Sequence, residues 1–242
     1  MVSARPEADR ISLARDPVGA WTWGVISLRK IPALLIFGLS LVLSTGAASA
    51  KTVRIPIADG FDFPVGKPDA GGYSKARGLR LRSPKHYGED WNGRGGGNTD
   101  IGDLVYSIGN GIVVWAYDVR GGWGNVAIIR HAYRDPKTGQ VRYCDSLYGH
   151  LRDMHVKVGQ EVKRGDKVGT IGTNRGMYAA HLHFEIRHNL SVGMHRNNVA
   201  SDLSNWADPT DFINKYRRLN REWGKQAVPV GTFKEYKGFR GL

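Results

Sequence analysis

The sequence predicts a mainly β protein, a compact antiparallel β-sheet domain built from β-hairpin units with a short C-terminal helix. Three observations point there. Polar and apolar residues alternate with period two in several stretches, among them 52–57 and 181–187, as on a half-buried strand. Glycine is abundant, 32 of 242 residues, and falls between those stretches where turns are needed. No long helical periodicity runs anywhere in the chain.

Composition bounds the function before any motif is read. Hydrophobic content of 41% and charged content of 24% are those of a globular protein, not a disordered one. The formal charge of +13 calls for anionic surroundings: nucleic acid, a membrane surface or acidic envelope polymers. Cys144 is the single cysteine, which excludes an intrachain disulfide and a thiolate-rich zinc site. A metal here must sit on histidine and carboxylate.

Residues 1–28 read as a loose leader. Arg29 and Lys30 then precede an apolar run over 31–43, and small residues end in Ala48-Ser49-Ala50. A basic stretch, a short apolar stretch and an A-x-A site make a secretory signal peptide cleaved after Ala50. The run falls short of the ~20 residues a spanning helix needs, so contact with the membrane is transient. No cysteine follows it, which argues against a lipoprotein anchor. Residues 1–50 carry five of the 35 basic and three of the 22 acidic groups, so the chain from Lys51 on remains basic at +11. Export puts the protein in the periplasm, the cell envelope or the medium, and sets nucleic acid behind envelope polymers as the anionic partner.

From residue 51 the chain divides into a domain over 51–213 and a basic, aromatic tail over 214–242. A basic stretch with Lys75, Arg77, Arg80, Arg82 and Lys85 reads as a solvated loop or a substrate-facing rim. His86 and Asp90 follow, four apart, on one face of a strand or a helix; Gly88 between them argues against the helix. An imidazole with a hard carboxylate suits a catalytic zinc site. The Gly-rich run 93–97 reads as a flexible loop at the mouth of such a site.

Next, residues 104–108 and 112–116 read as two strands joined by a Gly109-Asn110-Gly111 turn. Strands at 125–130 and 141–148 flank a hairpin tip at 137–139. Cys144 on the second of these is a small structural residue, and His150 closes it. Residues 156–172 form a β-turn-β unit with glycine at each corner, a scaffold to which no chemistry is assigned.

His181, His183, Glu185 and Arg187 share one face of the strand at 181–187, with Leu182, Phe184 and Ile186 on the other. Two imidazoles on one rigid element suit either metal ligation or proton transfer. A polar loop over 188–208 leads to a short helix beginning near Asp208. His131, His155, His188 and His195 are read as surface residues. From residue 215 the tail has eight basic and two acidic groups, interleaved with aromatics that could clamp an anionic polymer.

Taken in order, His-x-Gly-x-Asp at 86–90, Tyr-x-His-Leu at 148–151, the Val-x-x-Gly-Gln-x-Val-x-x-Gly-Asp unit at 156–166 and His-Leu-His-Phe-Glu at 181–185 form a specific set. The set resembles the lysostaphin/LytM-type zinc metallopeptidases, which cut peptides of bacterial peptidoglycan, over roughly residues 60–213. The resemblance implies Zn2+ as cofactor, with His86, Asp90 and His183 as ligands and His150 and His181 as catalytic histidines. Spacing alone does not rank His150, His181 and His183 as third ligand. The implied function is hydrolysis of a stem or cross-bridge peptide bond by a zinc-activated water. The competing function is that of a wall-binding activator of other hydrolases. Non-catalytic relatives of that kind have lost metal ligands, whereas this chain keeps every one. The run at 93–97 is longer than in the shortest family members and bears on the shape of the groove.

Overall fold

The computed structural model describes residues 51–196 and 199–233. The leader with its signal peptide and the end of the tail, 234–242, lie outside the described residues. The strands are β1 (Thr52–Pro56), β2 (Tyr73–Arg77), β3 (Glu89–Gly93), β4 (Leu104–Tyr106), β5 (Gly111–Asp118), β6 (Asn125–Arg134), β7 (Val141–Met154), β8 (Glu161–Val162), β9 (Lys167–Ile171), β10 (Leu182–Arg187), β11 (Trp206–Ala207) and β12 (Lys225–Pro229). Among the described residues one α-helix, α1, spans Pro209–Lys215. The protein is mainly β, and every strand pairing among the described residues is antiparallel.

The main sheet runs β2-β3-β10-β7-β6-β5-β8, with β9 bonded to both β4 and β7, and β11 on β10. Period-two patterning explains how β6 is buried on both faces. Ala127, Ile129 and Tyr133 enter one core with Phe61, Tyr148, Phe184 and Phe212. Val126, Ile128 and Ala132 enter a second with Trp115, Leu147 and Val228. α1 begins where expected: Asp208 caps it by accepting from the Asp211 amide at 3.0 Å, and Pro209 occupies the first turn.

Several local expectations give way to long-range pairing. Residues 104–116 do not fold back as a hairpin: β4 pairs with β9, and β5 pairs with β6 and β8. The corner between them is held open from outside. The Asn110 side chain donates to Ile57 O at 3.1 Å and accepts from the Arg164 amide at 3.1 Å, and a Cβ on Gly109 would meet the Phe61 ring at 2.9 Å. Likewise β8 and β9 pair with other strands, not with each other, so 156–172 is a connector between sheet edges. β7 runs on past Tyr148 to Met154. Part of the segment set apart as a tail is β12, which pairs with β1, buries Val228 and ties Lys225 to Glu161 at 2.8 Å.

Cys144 is buried, and burial pushes its thiol well above the usual range, which suits an inert structural residue. Among the histidines expected at the surface, His155 and His188 are exposed, but His195 is half-buried and His131 is fully buried. The sequence around His131 gives no warning, because its partners come from elsewhere in the chain: Asn110 O at 2.9 Å and Ser146 Oγ at 2.7 Å.

Burial lowers the His131 pKa to about 4, against the raising effect of the Asn110 hydrogen bond. The unfolded imidazole titrates near ~6.5, so below that pH the unfolded chain binds a proton that the folded chain refuses. Stability should therefore fall as pH drops from about 6.5 toward 4, by about 2–3 kcal/mol at pH ~4.5 from this group. Urea midpoints of wild type and His131→Asn at pH 7.5 and 4.5 test this. The variant should lose markedly less stability on acidification, and equal losses would refute the assignment.

Candidate functional site

β10 organises the site through its register. His183 lies directly across from Asp90 on β3 and from Gly149 on β7. Side chains opposite one another in an antiparallel pair stand about 5 Å apart, so the pairing alone brings Asp90 to His183. His86 is held extended by reciprocal backbone hydrogen bonds with Arg80, at 2.6 and 2.8 Å. It reaches the same point: its Nε2 is 2.9 Å from Asp90 Oδ1 and 3.1 Å from His183 Nδ1, and His183 Nδ1 is 3.0 Å from Asp90 Oδ1.

The outer contacts decide which ring nitrogens carry protons. His86 Nδ1 faces Gly78 O at 2.9 Å and His183 Nε2 faces Glu185 Oε1 at 2.8 Å. Both partners can only accept, so these nitrogens donate. The inward nitrogens of both rings then carry lone pairs, and Asp90 adds a carboxylate oxygen. Three lone pairs converging on one point favour a positive charge there, and two imidazoles with a carboxylate form a donor set suited to zinc. Protons compete with a cation for the same inward nitrogens. Burial opposes charge on His183, but hydrogen bonds to Asp90 and Glu185 raise its pKa. Burial opposes charge on Asp90 too, yet hydrogen bonds from His183 and His86 hold its carboxyl far below the usual range.

His150 and His181 reach the site by other routes. A bulge in β7 sets His150 at φ 60°, a left-handed conformation that costs a residue with a side chain about 1–2 kcal/mol. Two contacts hold it there: its amide and its Nδ1 both donate to Trp123 O, at 3.2 and 3.1 Å. His181 precedes β10, bridges to Gly172 and donates from Nδ1 to Ala179 O at 2.8 Å. That leaves its Nε2 facing inward, 3.8 Å from Asp90 Oδ1. The His150 ring centroid lies 4.8 Å from that of His181 and 5.7 Å from that of His183. Burial, then the neighbouring His183 and His181, lower the His150 pKa to about 3, so it is neutral at physiological pH.

All five residues singled out from the sequence line one cleft of 590 Å³. Arg77 and Lys85 of the basic stretch line it as well, whereas Lys75 turns away to Glu89 at 2.8 Å. No residue of the Gly-rich run lines it, and the Gly93 amide donates to Asp100 at 2.9 Å. One expectation fails at β10 itself, which is buried on both faces. The segment after it folds over the polar side, bringing Trp206 Nε1 to Glu185 Oε2 at 3.3 Å and Gly193 O to the Arg187 guanidinium. Glu185 is therefore a buried carboxylate kept ionised, against burial, by Arg187 at 2.8 Å and by His183. Its place two residues from His183 was visible in the sequence; its role in orienting the ring was not. Trp123, Tyr178 and Arg196 also line the cleft and carried no sequence signal.

Gly88 shows how tight this packing is. A Cβ there would lie 2.1 Å from Phe184 O and 2.8 Å from the Glu185 side chain. Backbone cannot yield as a flexible side chain can, so Gly88→Ala should cost about 3 kcal/mol or more and displace His86 from Asp90. Thermal melting together with zinc content tests this; an unchanged melting temperature would mean the loop moves freely.

The sequence pattern of peptidase family M23 matches residues 84–198, a span holding all five of these residues. Lipoprotein NlpD of Yersinia enterocolitica is 38% identical over 87 residues, 36% of this chain and 79% of that protein. The chain belongs to peptidase family M23. Two other family relatives match over shorter shares of their length. Murein hydrolase activator NlpD of Escherichia coli is 36% identical over 99 residues, 38% of this chain and 24% of that protein. Peptidoglycan DD-endopeptidase ShyA of Vibrio cholerae is 35% identical over 86 residues, 36% of this chain and 18% of that protein. The chain thus spans about a quarter or less of the length of those two proteins.

Proposed function

We propose that this M23 chain is a zinc-dependent endopeptidase that hydrolyses peptide bonds of bacterial peptidoglycan outside the cytoplasm. The observation carrying the proposal is the convergence of inward-facing lone pairs from His86, Asp90 and His183 beside two further histidines in one cleft. His86, Asp90 and His183 would hold the ion. A zinc ion so bound supplies Lewis acidity and lowers the pKa of water to about 7.

The chain's own residues supply the rest. His150, neutral and tied at Nδ1, offers Nε2 to accept a hydrogen bond or a proton from the attacking water. His181, tied at Nδ1 to Ala179 O, presents Nε2 beside the His150 ring, where as a proton carrier it would face the charge that builds on the carbonyl oxygen. Trp123 and Tyr178 wall the cleft beside His150. Residues 51–213 form the proposed peptidase domain, with anionic envelope polymers as partners of the basic surface.

A second reading, an activator of other wall hydrolases, is favoured by the name of the Escherichia coli relative. Digestion of purified peptidoglycan with mass spectrometry of the products separates the two. The endopeptidase reading expects new peptide termini, lost with a chelator and restored by zinc. No release from the protein alone, together with chelator-insensitive stimulation of a second hydrolase, would favour the activator.

A further inference from the structure

The cleft has an uneven charge inventory. Arg77, Lys85 and Arg196 line it, and Asp90, the acid among the lining residues, already faces the ring nitrogens of His86 and His183. The bases stand on different elements. Arg77 ends β2, its Nε 3.8 Å from Asp90 Oδ2, with most of its side chain exposed. Lys85 precedes His86 and is steadied by Ser201 Oγ at 2.8 Å.

Arg196 is the most constrained. Its guanidinium stacks 4.4 Å from the Trp123 ring and 5.2 Å from the Tyr87 ring, and one nitrogen lies 3.4 Å from Glu185 Oε1. Glu185 is also bonded by His183, Arg187 and Trp206, so it does not saturate Arg196. A planar, pre-oriented guanidinium with free donors suits a carboxylate.

Resting on the endopeptidase reading, we infer that the cleft selects an acidic peptide, one bearing a free carboxylate within about two residues of the bond cut, and reads it through Arg196 and Arg77. Peptidoglycan stems that carry free carboxylates fit this charge. Neutral oligoglycine bridges leave it uncompensated. Arg196 contributes more than Arg77, because an exposed pair is weakened by solvent and salt.

Binding tests this without requiring turnover, so a chain that fails to hydrolyse still gives an answer. Three fluorescein-labelled probes are titrated by anisotropy: a stem-type tetrapeptide with free branch carboxylates, the same peptide with carboxamides, and pentaglycine. Product analysis by mass spectrometry in parallel reports hydrolysis separately.

The acidic peptide should bind roughly 10–100-fold tighter than the other two. Arg196→Gln should weaken the acidic peptide about 10-fold and leave the carboxamide peptide unchanged. A merely structural role for Arg196, which also touches Glu185, would weaken both peptides alike and overturn the assignment. Equal affinity of the acidic and carboxamide peptides would overturn the inference itself. So would a glycerol-phosphate oligomer that displaces the probe at lower concentration than the unlabelled acidic peptide does.

Discussion

Replacing His183 with alanine should empty the metal site and reduce hydrolysis to background. His183 is the hub of the donor set, with Nδ1 near both Asp90 and His86 and Nε2 on Glu185. Two remaining donors hold zinc poorly, since affinity rests on the number and fixed orientation of the ligands. The substitution also removes a donor from a carboxylate with no solvent exposure, which should lower stability by about 1–3 kcal/mol although Arg187 and Trp206 still bind it. Elemental analysis of protein purified without added metal should find near-stoichiometric zinc in the wild type and little in the variant. Full zinc and full activity in His183→Ala would refute the ligand assignment.

His150→Ala and His181→Ala should behave differently, keeping zinc and losing rate. Neither ring belongs to the converging set of three, and each is anchored through Nδ1 to a backbone carbonyl, His150 to Trp123 O and His181 to Ala179 O. Their removal takes away a group aimed at the reacting atoms while leaving His86, Asp90 and His183 in place. The expected loss is about 10²–10³ in kcat for one such group, with zinc content unchanged. Zinc analysis beside kcat for each variant is decisive. Zinc lost from His181→Ala but kept in His183→Ala would exchange the two roles, and full activity in His150→Ala would remove that residue from the mechanism.

What the sequence determined by itself was local chemistry. Period-two alternation put His183 and Glu185 on one face of a strand, the Asp208-Pro209 pair started a helix, and residues 137–139 turned a hairpin between β6 and β7. The order of the His and Asp motifs was enough to bring forward, through a family resemblance, five residues that line one cleft. The alternation, the helix start and the hairpin tip each lie within a few residues, where backbone geometry dictates which side chains are neighbours.

The tertiary structure decided the rest, because long-range partners leave no local pattern. β4 chose β9 over the adjacent β5, β12 left the tail to pair with β1, and His131 was buried against Asn110 and Ser146. The site depends on the same kind of contact. Gly78, Trp123, Ala179 and Glu185 fix which nitrogen of each histidine faces the cleft, and three of those four act through a backbone carbonyl that any residue type would supply. A carbonyl carries no signature in the sequence, so the orientation of these rings could be read only once the chain had folded around them.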